Sequence, residues 1–189
     1  MSDTPRPHSP DTSLHDTLFA VVDVETTGLD PGADRILQMA AVVVDSRGRV
    51  VEEFETVVRP ESPDEYEHGA EHIHGISREM VEQGMPLRNA LQNFLSVVDG
   101  RILAAHNARF DVSFLHAESR RVGLEWKVSR YVDTLQLSRR TDTSSGRRHN
   151  LEALCEHYGV TRARAHEASS DAKAAASILL KLIEELGVE

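Results

Sequence analysis

Three short segments of this chain carry side chains whose types and spacing could do chemistry together. They are Asp23-Val24-Glu25-Thr26-Thr27-Gly28, His106-Asn107-Ala108-Arg109-Phe110-Asp111 and His166-Glu167-Ala168-Ser169-Ser170-Asp171. Asp23, Glu25, Asp111 and Asp171 offer hard oxygen ligands, which suit Mg2+ or Mn2+ rather than zinc. Two such ions about 3.5–4 Å apart can activate an attacking water and stabilise the leaving oxygen of a phosphodiester. An imidazole titrates near pH 6.5, so His166, placed shortly before Asp171, could take the proton from that water at neutral pH. Each segment alone has a plainer reading. Asp23 and Glu25 could be hydrated carboxylates where a strand reaches solvent. Asp111 could be a helix N-terminal carboxylate favoured by the macrodipole, and His166 with Asp171 a surface histidine beside a cap. Phe110 reads as core.

The elements around these residues must bring them together. Leu18 to Val24 is a short apolar run rich in β-branched residues and reads as a buried strand. Side chains two apart on a strand share a face, so Asp23 and Glu25 point the same way. Two neighbouring carboxylates there repel and are costly to desolvate, so a cation should compensate. A second strand is expected over Arg35–Asp45 and a third over Val50–Val58, joined by the turn Ser46-Arg47-Gly48-Arg49, which makes a three-stranded antiparallel meander. Glu61 to Ile76 reads as a loop. Ser77 caps a short helix with Met80 and Val81 inward, and Pro86 starts a helix carrying Leu87, Leu91, Phe94 and Leu95. A fourth strand follows at Arg101–Ala105, then helices ending near Gly123, from Asp133 to Leu137, and from Leu151 to Gly159. The last helix is expected from about Ser169 to Leu186. Asp111 and Asp171 therefore both enter helices. Strands first and helices after, around one sheet, give an α/β class.

Composition narrows the function. The 189 residues suit one domain with a sizeable core. No apolar stretch approaches the roughly 20 residues of a membrane span. Cys155 is the only cysteine, so an internal disulfide is excluded and a cytoplasmic location is the default. Residues 1–16, rich in Pro, Ser, His and Asp, are expected to be a disordered tail rather than a secretory leader, with residues 17–189 as the single domain. The net charge of -10 is unevenly spread. Residues 101–166 hold 12 Lys/Arg against 7 Asp/Glu, a net of +5. That segment includes the pairs Arg120/Arg121, Arg139/Arg140, Arg147/Arg148 and Arg162/Arg164, which read either as solvated faces or as a phosphate-tracking surface.

The three segments, in this order, resemble the motifs of the DEDDh 3′→5′ exonucleases, the group that includes the proofreading epsilon subunit of bacterial DNA polymerase III and ribonuclease T. Ile73-His74-Gly75-Ile76, Asp133-Thr134-Leu135 and His149-Asn150-Leu151 are weaker echoes, so the likeness runs from about Leu18 to Leu186. The resemblance implies a ribonuclease-H-like fold, a mixed central sheet flanked by helices. It implies that Asp23, Glu25, Asp111 and Asp171 hold two divalent cations and that His166 is the general base. Thr26 and Thr27 would line the 3′-terminal nucleotide, Leu29 would wedge against its base, and His74 and Asn107 would sit near its sugar and phosphate. Some relatives carry a glutamate on the terminal sugar five residues before the histidine matching His74; here Gly69 stands there. The expected substrate is single-stranded DNA, released as nucleoside 5′-monophosphates in proofreading or repair, and 5% aromatic residues point to a short footprint. Alternatives are RNA or oligonucleotide trimming, and a subunit acting mainly in a complex with a DNA polymerase. Homo-oligomerisation is left open.

Overall fold

The computed structural model describes residues 17–62, 66–128, 130–144 and 146–187; the expected tail, residues 1–16, lies outside them. Strand β1 (Leu18–Thr26) pairs antiparallel with β2 (Ile36–Asp45), and β2 antiparallel with β3 (Val50–Arg59). The meander expected from sequence is present, and β1 and β3 each run beyond the expected ends. Its second turn is closed by Asp45, whose Oδ1 accepts from the N–H groups of Arg47 and Arg49 at 3.1 and 2.9 Å. Gly48 takes the left-handed conformation this turn needs, with φ 81°.

The chain then crosses over twice in parallel. Helix α3 (Leu87–Val98) leads to β5 (Ile102–Ala105), parallel to β1, and α4 (Arg109–Arg121) leads to β6 (Val132–Asp133), parallel to β5. A two-residue strand β4 (Met85–Pro86) lies parallel to the end of β3. The sheet order is β4-β3-β2-β1-β5-β6. This mixed sheet flanked by helices is the fold the resemblance implies.

Every residue of β2 except Asp45 is buried, because helices cover both faces. Ala20, Val22 and Val24 of β1 pack with Leu91, Phe94 and Phe114 of α3 and α4. Phe19 and Val21 face the other way, onto the small residues Ala168, Ala172, Ala175 and Ala176 of α7 (Ala168–Glu185). Period-two alternation thus serves two cores, and the alanine-rich stripe lets α7 approach the sheet closely.

Several local expectations are corrected. The Glu61–Ile76 loop contains a four-residue helix α1 (Glu71–His74), entered through Ala70 in the left-handed region at φ 59°. Ser77 does cap α2 (Arg78–Glu82), accepting from Met80 N, and Val81 is buried, yet the Met80 side chain faces solvent. Pro86 is the extended N-cap residue of α3, since its ladder position beside Arg59 holds it in the strand. Asp133 caps α5 (Thr134–Thr141), which outruns the expected end at Leu137 because Ser138 is also buried. Helix α6 (Leu151–Tyr158) ends at Gly159 as expected. No helix among the described residues is long and apolar enough to cross a membrane.

Candidate active site

The parallel strands β1 and β5 finish at the same end of the sheet, and the sequence motifs collect there. Pairing of β1 with β5 stops at Val21 opposite Ala104. Just beyond it, the Val24 N–H donates to Asp111 Oδ1 at 3.1 Å. Asp111, third residue of α4, therefore takes up a backbone donor between Asp23 and Glu25. On the other side of β1, Glu25 stands opposite Gln38 of β2. The Gln38 amide donates to Glu55 Oε1 at 2.9 Å, while its oxygen accepts from Ala168 N at 3.2 Å. That bond satisfies one of the free N–H groups at the start of α7 and fixes the helix whose fourth residue is Asp171. Gln38 was missed in the sequence, although one polar residue inside an apolar run was its signal.

Four carboxylates gathered in this way repel one another. Burial raises the Asp23 carboxyl well above the usual range, and Asp111, Glu25 and Asp171 push it further. Burial, then Asp171, lifts Glu25 to about 7. Burial also raises Asp111, against the backbone donors that hold its anion. The compensating cation is Arg162, also missed as a site residue. Its guanidinium grips both oxygens of Asp171 and offsets part of the charge on Asp23 and Glu25. Ligand atoms of Glu25, His166 and Asp171 lie within 4.8 Å of one another. The two carboxylates of this trio, Asp171 buried and Glu25 half-buried, are hard oxygen donors close enough to fit a divalent cation.

The remaining predicted residues are placed unevenly. His166 is exposed, with φ 60°, and its backbone N–H points at Asp171 Oδ2 from 3.3 Å. Asn107 is exposed with φ 66°, its N–H held by Asp133 Oδ1 at 3.1 Å. Leu29 is 84% exposed at the tip of the turn after β1. The hydroxyls of Thr26 and Thr27 are used inside that turn, donating to Gly28 O at 2.6 Å and Asp34 Oδ1 at 2.9 Å. His74 is also occupied: its Nδ1 accepts from Ile76 N at 3.0 Å, so Nε2 carries the proton toward Gly69 O at 3.2 Å.

Gly69 has a structural reason. A Cβ there would sit 2.4 Å from the Thr27 carbonyl oxygen, so the loop can lie against the turn that follows β1 only without a side chain. Gly69→Ala is expected to cost about 1–3 kcal/mol, the usual range for overpacking, and to raise KM. Thermal melting and steady-state kinetics read both, and an unchanged midpoint would mean the loop moves freely.

The profile of the exonuclease family RNase_T matches residues 20–179. The chain belongs to that family. Its motifs are those of the DEDDh type of 3′→5′ exonuclease within that family. It is 35% identical over 177 residues to the PolC-type DNA polymerase III of Thermotoga maritima, covering 93% of this chain. To the Caldanaerobacter subterraneus enzyme of the same name it is 36% identical over 168 residues, covering 89% of this chain. In both cases the exonuclease spans 12% of the relative's length. The nuclease domain of 3′hExo, a DEDDh family member bound to rAMP, superposes with a TM-score of 0.78 at 16% identity, over 94% of this chain and 96% of that one. Escherichia coli Exonuclease I in complex with a dA16 oligonucleotide superposes at 0.77 with 21% identity, over 91% and 42%.

Proposed function

We propose that residues 17–189 form a single exonuclease domain that removes nucleoside 5′-monophosphates from the 3′ end of single-stranded DNA. The observation that carries this reading is the convergence of Asp23, Glu25, Asp111 and Asp171, with His166 beside them, at the end of the sheet where β1 and β5 finish. Mg2+ or Mn2+ ions, two of them, bound at these carboxylates would supply Lewis-acid stabilisation of charge developing on the phosphodiester. His166 takes a proton from the attacking water. The water oxygen bonds to phosphorus as the bond to the 3′ oxygen breaks; the leaving oxygen takes a proton from solvent, so the shortened strand keeps a 3′-hydroxyl and the released nucleotide keeps the phosphate. Arg162 holds Asp171 in the metal-free protein. Leu29 wedges against the terminal base. Asn107, whose left-handed backbone turns its side chain outward, contacts the sugar and phosphate. Thr26 and Thr27 line the terminal nucleotide through the turn they stabilise, and His74 supports that pocket through its loop bonds.

DNA is favoured because the curated relatives are DNA polymerases. They also support a proofreading or repair role beside a polymerase, in the cytoplasm. The rAMP in 3′hExo keeps RNA as the second reading. Initial rates on DNA and RNA oligonucleotides of matched sequence decide between them, and faster RNA turnover would overturn the DNA assignment.

The strand upstream of the scissile bond crosses the basic side of the site. A depression beside Asn107 is lined by Arg139, Arg147, Arg148 and His149. Arg147 is engaged with Tyr158 at 2.7 Å and with Glu185, whereas Arg139 is exposed on α5. Arg139→Glu is expected to raise KM at low salt and to reduce the slope of log KM against log salt by about 1. A KM that does not move would make this surface a solvated face only.

A further inference from the structure

Leu29 presents a large apolar side chain to solvent, 84% exposed, at the turn after β1. A wedge works only if its backbone is held, since ordering a loose turn would be charged against binding. Inside the turn, Asp34 accepts from Thr27 Oγ1 and from Asp30 N at 2.9 and 2.8 Å. Gly28 is needed for this, because a Cβ there would meet the Asp34 carboxylate at 2.5 Å.

The turn is also held from outside. Arg121, in the last turn of α4, donates through Nη2 to the carbonyls of Pro31 at 2.9 Å and Gly32 at 2.7 Å. Its Nη1 pairs with Glu118 Oε1 at 3.0 Å. Glu118 is 1% exposed and also accepts from Ile36 N, the first residue of β2, at 3.2 Å. A buried glutamate is rare unless paired, and here its partner reaches across some 90 residues of sequence to the turn. The same helix carries Asp111 in its first turn. One rigid element therefore ties the carboxylate site at one end to the wedge-bearing turn at the other.

We propose that Arg121, oriented by Glu118, is a positioning residue for substrate: it fixes residues 28–34 so that Leu29 meets the terminal base in register with the carboxylate site. This rests on the reading of Leu29 given under Proposed function. Arg121 acts through the turn and does not touch the reacting atoms. Its planar fork reaches a carboxylate and two carbonyls at once, which a lysine ammonium cannot reproduce.

The test is a double-mutant cycle of Arg121→Lys and Leu29→Ala on a single-stranded DNA oligonucleotide. Lysine keeps a charge facing Glu118, so the fold should survive where alanine would strand a buried carboxylate. Each single variant is expected to raise KM about tenfold, the net worth of roughly one hydrogen bond, with kcat little changed. The double variant should be no worse than Leu29→Ala alone. Multiplying effects, or no KM change in Arg121→Lys, would overturn the proposal. Amide hydrogen exchange supplies a second readout independent of activity: Arg121→Lys should speed exchange in residues 28–34 while β1 and β2 stay protected. Unchanged exchange there would also overturn it. A wild-type protein with no nuclease activity would instead refute the functional reading, and the exchange result would still judge the bracket.

Discussion

Asp23→Ala is expected to abolish turnover while leaving the metal-free protein as stable as the parent or more so. Losing one of four carboxylates from a metal-assisted phosphodiesterase removes several kcal/mol of transition-state stabilisation, on the order of 10³-fold in rate or more. The stability effect has the opposite sign. Asp23, Glu25 and Asp111 all have carboxyls raised by burial and by their acidic neighbours. A group whose folded pKa is raised contributes stability below its unfolded pKa, and that stability is lost as pH rises through the folded value. For Glu25 the window runs from its ordinary 4.5 to about 7. The parent protein in EDTA should therefore lose stability across that window, and Asp23→Ala should lose less. Melting curves between pH 4.5 and 8 in EDTA, set beside activity in Mn2+, test both halves. Full activity in the variant would sink the metal assignment, and a steeper pH loss would sink the electrostatic one.

His166→Ala is expected to lower kcat by about 10²- to 10⁴-fold, the usual share of a general base, with KM little changed. His166 is exposed and donates to Asp171 through its backbone N–H, which leaves its imidazole facing solvent to reach a water. Its left-handed φ of 60° raises a second explanation for any loss, backbone strain on replacement. His166→Asn separates the two, because asparagine tolerates that region yet cannot take a proton from water. If Asn restores the rate, His166 served the backbone. If Asn is as slow as Ala and the acid limb of the pH–rate profile flattens in both, the imidazole is the base.

The carboxylate set was legible because it depends on local rules. Asp23 and Glu25 share a face through strand alternation, and Asp111 and Asp171 enter helices that follow recognisable loops. The meander was legible for a similar reason: β2 is so uniformly apolar that only a strand covered on both faces can carry it. What the sequence hid depends on residues far apart meeting. Gln38 has meaning only against Ala168 across 130 residues. Arg162 looked like one member of a surface pair until Asp171 was seen in its grip. The two-residue β6 is too short to have a period and exists because β5 offers it a ladder. The arginine-rich middle segment was ambiguous by composition alone. In the structure it divides: Arg121, Arg147 and Arg162 hold the protein together, whereas Arg139 faces solvent beside the site.

The most direct test of the central claim uses a 5′-labelled single-stranded DNA oligonucleotide with Mg2+, with Mn2+, and with EDTA. Products should form a ladder that shortens one nucleotide at a time from the 3′ end with either metal, vanish in EDTA, and release nucleoside 5′-monophosphates. Shortening from the 5′ end, internal cleavage, or an undiminished ladder in EDTA would contradict the assignment of these residues.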